Sequence, residues 1–387
     1  MRIDASPSDV GMDDSKFGLL RQSIERDIEN GVSDASIILV ARYGKIVMHE
    51  AIGYSNRRKG RVAKTDDVLP IMSLTKQLVA GAVFRFVDRG QLALTTRVAE
   101  VIPEFGKRGK ERVTVRQLLS HQAGLPMQHP LEDWRHGNEA YVAKICELPL
   151  EPAPEGVANY HAGAAHAVLG EIMRRLDISK RPIHQILKEE LFAPTGMADT
   201  GLSLKGRADL LSRLAPITMR DDSPDALPPR DIEQIAEICV EVDFLAGGAF
   251  STAYDQFRLA EMLRLGGKID GVRVLSPAII KAATTIQSGN KFHGLFMAAA
   301  ERDHTDPFPA NIGLSIYVRG DGIFVTNMGT LSSPSTFAGS GFGGQLFCVD
   351  PERELTIVHL VCGYPQLYNA RKRSQRLVDL IVSSIEE

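Results

Sequence analysis

PIMSLTKQLVAGAVFRFVDRGQL (residues 70–92) is the stretch of the chain that decides the fold. A proline just upstream and Gly90 just past the apolar run predict a helix over residues 73–89. Apolar residues fall on almost every side of this segment, as in a helix packed within a core. Ser73 then lies on the first helical turn, near the positive end of the helix dipole and its unpaired backbone N–H groups.

Ser73 and Lys76 are three residues apart, so on a helix their side chains share one face. A serine hydroxyl is a weak nucleophile until a neighbouring group removes its proton, and an amine held in apolar surroundings can do so. The pair therefore predicts nucleophilic catalysis. The Ser-x-x-Lys pattern is short, and a second copy, Ser288 to Lys291, occurs in a Gly-Asn turn with no helix to orient its hydroxyl. The helical setting favours the first copy.

Composition is that of an ordinary soluble globular protein, with 44% hydrophobic and 24% charged residues among 387. The net charge of -3, with mixed signs, argues against a nucleic-acid surface. No run of about 20 apolar residues predicts a membrane span, and the acidic, polar N-terminus does not resemble a signal peptide. The four cysteines are scattered and form no C-x-x-C pair, so we expect buried free thiols and a cytoplasmic protein.

The order of predicted elements indicates a sheet built from both ends of the chain. An amphipathic helix over residues 14–30, closed near Gly31, precedes a hairpin of two strands (35–42 and 45–54), whose turn is indicated by Tyr43-Gly44. Helical patterns then dominate from 93 to 245, with two expected surface loops at residues 129–138 and at the Asp/Pro-rich residues 219–231. After a further helix at 252–265, strand patterns return in NIGLSIYVRG, GIFVTNMG, QLFCVD and LTIVHLVCG, before a terminal helix. We predict an α/β domain (1–92 and 246–387), a mostly helical domain (93–245) and an active site at their junction.

Other motifs in the chain point to no metal or cofactor. Gly339 to Gly344 matches G-x-G-x-x-G, but a strand pattern follows it where a dinucleotide fingerprint opens a helix. The sequence contains no G-x-S-x-G, which argues against an α/β-hydrolase. His161 and His166 diverge by about 140° on a helix and are not expected to share a metal. We therefore expect neither a metal nor a cofactor.

Four ordered segments resemble the serine β-lactamase and penicillin-binding-protein superfamily, whose signature opens with S-x-x-K. Ser73 to Lys76 resembles the first motif, and VRQLLSHQAGLP (115–126) its "LL-H-SGL" segment. LFAPTGM (191–197) resembles "F-PLGM", and AGGAFST (246–252) resembles "AGGL-ST". Within the superfamily, the chain is most similar to class C β-lactamase-like (family VIII) carboxylesterases and related acyltransferases. The resemblance implies a β-lactamase/DD-peptidase-like α/β (α+β) fold: an antiparallel sheet flanked by terminal helices, with a helical lobe inserted.

The second and third family motifs are only partly retained. Tyr160 stands where the resemblance places the tyrosine of Tyr-x-Asn, but Ala162 replaces the asparagine. Ser340 and Gly341 fit the third motif, usually Lys-Thr-Gly or His-Thr-Gly, whereas Gly339 replaces the cation. In lactam and peptide substrates of the family, the asparagine and the cation hold an amide side chain and a carboxylate. Their absence argues against lactamase and peptidase activity, unless an arginine from a loop, such as Arg135, replaces the cation.

The resemblance and the residue chemistry together assign roles to the site. Ser73 is expected to attack a carbonyl, and Lys76 and Tyr160 to carry its proton to the leaving group, either of them being the general base. The backbone N–H groups of Ser73 and Phe342 are expected to bind the oxyanion. Ser340 is either a relay hydroxyl or a solvated loop residue.

We therefore predict a serine hydrolase that acts through an acyl-enzyme on carboxylic esters of small molecules. An amidase, a peptidase or a β-lactamase on the same residues is one alternative. An acyltransferase, in which an alcohol or amine replaces water, is another, and a non-catalytic binding homologue is a third. The acyl group, the leaving group and the oligomeric state stay open.

Overall fold

The three-dimensional structure is a computed structural model, and it describes residues 2–126, 133–151, 153–220, 229–302 and 304–386. The loop predicted around residues 219–231 lies largely outside these ranges. Within them, no helix is both long and apolar enough to cross a bilayer. All four cysteines are buried free thiols, as predicted.

A seven-stranded sheet with antiparallel pairing throughout forms the centre of the fold. In their order across the sheet, its strands are residues 317–318 (β10), 337–341 (β11), 345–350 (β12), 355–362 (β13), 35–42 (β1), 45–56 (β2) and 61–62 (β3). The pairing of β1 with β13 joins the N-terminal strands to the C-terminal ones, which confirms the antiparallel sheet built from both chain ends. The strands of the described residues are β1 (Ala35–Arg42), β2 (Lys45–Asn56), β3 (Arg61–Val62), β4 (Leu69–Pro70), β5 (Val157–Ala158), β6 (Phe250–Ser251), β7 (Lys268–Ile269), β8 (Val272–Arg273), β9 (Phe292–His293), β10 (Tyr317–Val318), β11 (Phe337–Gly341), β12 (Gln345–Asp350) and β13 (Leu355–Cys362).

Helices cover both faces of the sheet and fill the middle of the chain. Those of the described residues are α1 (Asp14–Glu29), α2 (Thr75–Asp88), α3 (Val98–Val101), α4 (Val115–Leu119), α5 (Asn138–Glu147), α6 (Ala164–Leu176), α7 (Ile183–Leu187), α8 (Ala193–Thr195), α9 (Ala208–Leu211), α10 (Pro229–Cys239), α11 (Ala253–Arg264), α12 (Pro277–Ala283), α13 (Gly294–Arg302) and α14 (Leu367–Val382). A π-helical turn (Lys188–Phe192) links α7 to α8. The mostly helical character predicted for residues 93–245 agrees with this sequence of helices.

Both faces of β1 are buried, because successive side chains alternate between two apolar layers. Ile38 and Val40 pack in the cluster that contains the apolar sides of α1 and α14. Ile37 and Leu39 pack in the larger cluster with α2 and α11. That larger cluster also runs through the helices between residues 93 and 245, so the division into two domains stays a prediction. The turn and helix that carry Ser73 and Lys76 pack in this larger cluster.

One of the predicted strands is wrong and another is much shorter than expected. Residues 322–329 form no strand in the described structure, and the 311–320 segment contributes only Tyr317–Val318. The buried Arg319 explains the difference, because its guanidinium donates hydrogen bonds to the carbonyl oxygens of Gly320, Gly322, Gly329 and Thr330. Carbonyl groups satisfied in this way do not need a neighbouring strand.

Candidate active site

Ser73 lies in a 3₁₀ turn (Met72–Leu74) directly before α2, so the regular helix begins two residues later than predicted. Thr75 anchors this turn. Its hydroxyl donates to the Met72 carbonyl at 2.6 Å and accepts from the Ala249 N–H at 3.0 Å. Met72 adopts a left-handed backbone with φ of 50°, a conformation that costs a residue with a side chain on the order of 1 kcal/mol or more. The chain thus holds the serine in a fixed, strained turn.

The Lys76 side chain is almost completely buried, with 1% of its surface exposed. Its Nζ lies 3.1 Å from Ser73 Oγ and donates a hydrogen bond to the Ala246 carbonyl oxygen at 2.7 Å. Burial alone lowers the pKa of Lys76 to about 7, because the charged form loses its hydration. A substantial fraction of the amine is therefore neutral near pH 7, with a lone pair available to the serine proton.

Tyr160 completes the group of three side chains that the sequence predicted to lie together. It is 8% exposed, and Lys76 Nζ lies 4.9 Å from the centre of its ring. Burial raises the pKa of Tyr160 well above its usual range, Tyr317 raises it further, and a side-chain interaction with Ser73 lowers it. The phenol therefore stays protonated at neutral pH, so its hydroxyl is able to donate a hydrogen bond.

Strand β11 carries the residues of the third motif past the Ser73 turn. A Cβ atom on Gly341 would overlap the Ile71 carbonyl oxygen, so only glycine permits this approach of the two backbones. Phe342 follows directly in the 3₁₀ turn Phe342–Gly344, and its ring lies 6.2 Å from that of Tyr364. Ser340 is half-buried and pairs with Leu346 of β12. The oxyanion role of Phe342 and the relay role of Ser340 stay predictions.

The space beside Gly339 is filled by other side chains. A Cβ atom there would overlap the Phe347 ring and lie 2.9 Å from both Gln77 Oε1 and Leu74 Cδ2. No room therefore remains for a lysine or histidine side chain at this position. Ala162, at the position of the family asparagine, is exposed.

The two remaining candidate side chains, Ser288 and Arg135, have no contact with this group among the described residues. Ser288, from the second Ser-x-x-Lys copy, is buried, and its hydroxyl accepts a hydrogen bond from the Ile312 N–H at 3.1 Å. That contact gives it a structural role. Arg135 is exposed on the 3₁₀ turn Asp133–His136.

Among the described residues, four buried histidines lie around the site, and the sequence assigned none of them a role there: His121, His161, His166 and His293. His121 stacks on Tyr160 with ring centres 4.5 Å apart, and its ring lies 5.4 Å and 5.6 Å from those of His161 and His166. Burial lowers the pKa of each of the four, so they are neutral at pH 7. The histidine of the LLSHQAG segment, His121, three residues before Gly124, was the sequence signal for this cluster.

The architecture and the Ser-x-x-Lys turn agree with a match of most of the chain to one family. Residues 20–379 match the family described as Beta-lactamase. The chain belongs to the β-lactamase family. Protein Rv1367c of Mycobacterium tuberculosis is 27% identical over 380 residues, covering 89% of this chain and 90% of that protein.

Two solved structures of similar fold extend the comparison. A novel penicillin-binding protein homologue from Caulobacter crescentus superposes with a TM-score of 0.78 and 26% identity, covering 97% of this chain and 99% of the other. A family VIII carboxylesterase superposes with a TM-score of 0.74 and 22% identity, covering 97% and 99%. The latter likeness shows the fold alone. The β-lactamase-like fold expected from the sequence motifs is thus confirmed.

Proposed function

We propose that this member of the β-lactamase family is a serine hydrolase that cleaves carboxylic esters of small molecules through an acyl-enzyme. The observation that carries the proposal is the 3.1 Å separation of Ser73 Oγ from the Nζ of a buried Lys76 whose pKa is about 7. An amine with that pKa accepts a proton at neutral pH, which is the requirement for a general base.

The proposed reaction has two steps. Ser73 Oγ attacks the ester carbonyl while its proton passes to Lys76, and the N–H groups of Ser73 and Phe342 receive the developing oxyanion. Collapse of the tetrahedral intermediate breaks the bond to the alcohol, which takes the proton from the Lys76–Tyr160 pair. A water molecule then attacks the acyl-enzyme and gives a proton to the same pair. When this second tetrahedral intermediate collapses, Ser73 Oγ leaves and takes that proton back, and the acid is released. We assign the base role to Lys76, because burial favours the neutral amine of Lys76 and disfavours the charged tyrosinate form of Tyr160.

The preference for esters follows from the packing around the third motif. Since Phe347, Gln77 and Leu74 fill the space beside Gly339, the site has no cation there to pair with a substrate carboxylate. An unpaired carboxylate that leaves water costs several kcal/mol or more. Ala162 offers no side-chain amide for hydrogen bonding, and an exposed Arg135 is a poor replacement because solvent screens its charge.

The substrate class is tested by one panel on one protein preparation. We expect p-nitrophenyl butyrate to show a higher kcat/KM than nitrocefin and than D-alanyl dipeptides. Ser73→Ala protein, purified in parallel, measures contaminating esterases, and Ser288→Ala serves as the matched serine control. A higher kcat/KM for the lactam or the dipeptide would replace the ester assignment with the amidase one.

A peptide-directed activity is the second candidate, because the Caulobacter crescentus neighbour at 26% identity is called a penicillin-binding protein homologue. The same panel decides between the two candidates. Deacylation by an alcohol in place of water would make the protein an acyltransferase, and adding methanol to the p-nitrophenyl butyrate assay tests this. Formation of the methyl ester in excess over the acid would support transfer.

We also propose a cytoplasmic location, on the four buried free thiols that a reducing compartment maintains. Cell fractionation tests this, and recovery of the native protein outside the cytoplasm would contradict it.

A further inference from the structure

Among the described residues, His121 makes the closest ring contact with Tyr160. The two ring centres are 4.5 Å apart, and the ring planes are inclined by 26°. An offset stack of this kind is worth about 0.5–1.5 kcal/mol beyond the buried area and restricts rotation of both rings. Lys76 Nζ lies 4.9 Å from the centre of the same tyrosine ring. The orientation of the phenol toward the Ser73–Lys76 pair thus depends on what packs against it.

His121 also fixes the backbone that carries Tyr160. Its Nδ1 accepts a hydrogen bond from the backbone N–H of His161, the next residue, at 3.0 Å. A ring nitrogen that accepts must be unprotonated, so the proton of the neutral ring is on Nε2. The backbone of His121 is left-handed, with φ of 56°. Such strain in a residue other than glycine is typical of positions that the surrounding structure holds for a purpose.

The surroundings of His121 keep its ring neutral. Burial is the main cause that disfavours a positive charge on this ring. His161, His166 of α6, Lys76 of α2 and His293 of β9 face it, and any of them that carried a proton would disfavour that charge further. Protonation would also remove the acceptor for the His161 N–H. The stack and the hydrogen bond therefore persist together across the neutral pH range.

His121 also lines a cavity of about 530 Å³. His161 lines the same cavity, together with Gln122, Arg112 and Lys291. The cavity is open to solvent, whereas His121 is only 4% exposed. A smaller side chain at position 121 would let water from the cavity reach Tyr160 and, beyond it, Lys76.

We propose that His121 is a positioning residue, which orients Tyr160 toward Ser73 and Lys76 and keeps water of the neighbouring cavity away from them. This inference rests on the proposed function, because the role of His121 depends on the catalytic roles proposed for Ser73, Lys76 and Tyr160. It predicts that loss of the stack and loss of the hydrogen bond each slow acyl transfer.

Two variants separate the two contacts. His121→Phe keeps an aromatic ring on Tyr160 but has no acceptor for the His161 N–H. His121→Asn keeps an acceptor and tolerates the left-handed backbone, but lacks the ring. His359→Asn is the matched control, because His359 is an equally buried, neutral histidine on the opposite face of the sheet, with Nε2 3.0 Å from Ser36 Oγ.

The measurement is the rate of Ser73 modification by a fluorophosphonate between pH 5 and pH 10, supported by kcat and KM for p-nitrophenyl butyrate. For the wild-type protein we expect the rate to rise through pH 7. Each His121 variant should lower the plateau by about tenfold or more, mainly in kcat, as small misplacements of reacting groups do. In His121→Asn the rise of the labelling rate with pH should also move to higher pH. Water that reaches Lys76 would hydrate its charged form, so burial would lower the pKa of Lys76 less than in the wild type.

The outcomes are distinguishable. If the folded His121 variants are labelled at the wild-type plateau rate, with the wild-type dependence on pH, the positioning role is overturned while the proposed function stays intact. Loss of folding in His121→Asn would also count against it, because the histidine would then serve the stability of the fold. If Ser73 of the wild-type protein is not labelled, the proposed function fails instead. An equal change in His359→Asn would show that the effect is not specific to the Tyr160 contact.

Discussion

Replacing Lys76 with methionine should make the protein inactive and, at neutral pH, more stable. The Lys76 side chain is fully buried, and its pKa is lowered from 10.5 to about 7. The unfolded chain therefore binds a proton that the folded chain holds only weakly, so the stability of the wild type rises with pH between about 7 and 10.5. From the two pKa values, the cost of burying this amine is about 4 kcal/mol at pH 7 and about 2 kcal/mol at pH 9.

Methionine has nearly the same length and no charge, so the cost disappears at both pH values in Lys76→Met. Part of the gain is offset, because the Ala246 carbonyl loses its 2.7 Å hydrogen bond, worth about 1 kcal/mol. That loss does not depend on pH. The difference in unfolding free energy between variant and wild type should therefore be larger at pH 7 than at pH 9, by about 2 kcal/mol.

Urea unfolding at 25 °C, at pH 7 and pH 9, measures this difference directly. Other titrating groups are common to both proteins and cancel in the comparison. Lys205→Met, at an exposed lysine, is the control and should show the same free energy difference at both pH values. A Lys76→Met difference that is constant within about 0.5 kcal/mol would refute the idea that burial keeps the amine neutral.

Three further substitutions test the rest of the site. Tyr160→Phe should slow turnover of p-nitrophenyl butyrate at least about a hundredfold without unfolding the protein. Tyr368→Phe, at another buried tyrosine, should turn over the ester at the wild-type rate. If Tyr160→Phe also kept the wild-type rate, Tyr160 would be a core residue without a catalytic role. Gly341→Ala should lower the rate of Ser73 acylation and the melting temperature, because its Cβ atom would overlap the Ile71 carbonyl oxygen just before the Ser73 turn. Gly18→Ala, inside α1 where a Cβ atom meets nothing within 4 Å, should leave the rate unchanged and should not lower the melting temperature. Gly339→Lys should destabilise the protein by about 1–3 kcal/mol, the usual cost of overpacking, without creating nitrocefin hydrolysis; gain of that activity would contradict the account of the filled space.

The parts of the fold that follow local rules were predictable from the sequence. Apolar periodicity and flanking Gly or Pro residues located α1 and α2, and the Tyr43-Gly44 pair located the hairpin, where both residues have positive φ. Strand β11 was not predicted from its pattern, because three of its five residues are glycine or serine and its pairing with β12 is what makes it a strand.

Site residues that lie in one short segment could be predicted from the sequence, whereas contacts between residues far apart in the chain could not. Ser73 and Lys76 come from one helical turn, so their spacing was enough. The contact of His121 with Tyr160 joins residues about forty positions apart, and the filling of the space beside Gly339 depends on side chains from α2 and β12. No sequence period encodes such contacts. The strand prediction for residues 322–329 was wrong because the buried Arg319 donates side-chain hydrogen bonds to nearby carbonyl groups, and no sequence period encodes these bonds either.

The covalent modification of Ser73 is the most direct test of the central claim. The wild-type protein is treated with a fluorophosphonate at pH 8 and digested, and the modified peptide is identified by mass spectrometry. We predict one adduct, on Ser73, whose rate of formation falls below pH 7 as Lys76 takes up a proton. Ser73→Ala should abolish the adduct and Ser288→Ala should not. An adduct on Ser288 or Ser340, or no adduct on any serine, would contradict the account.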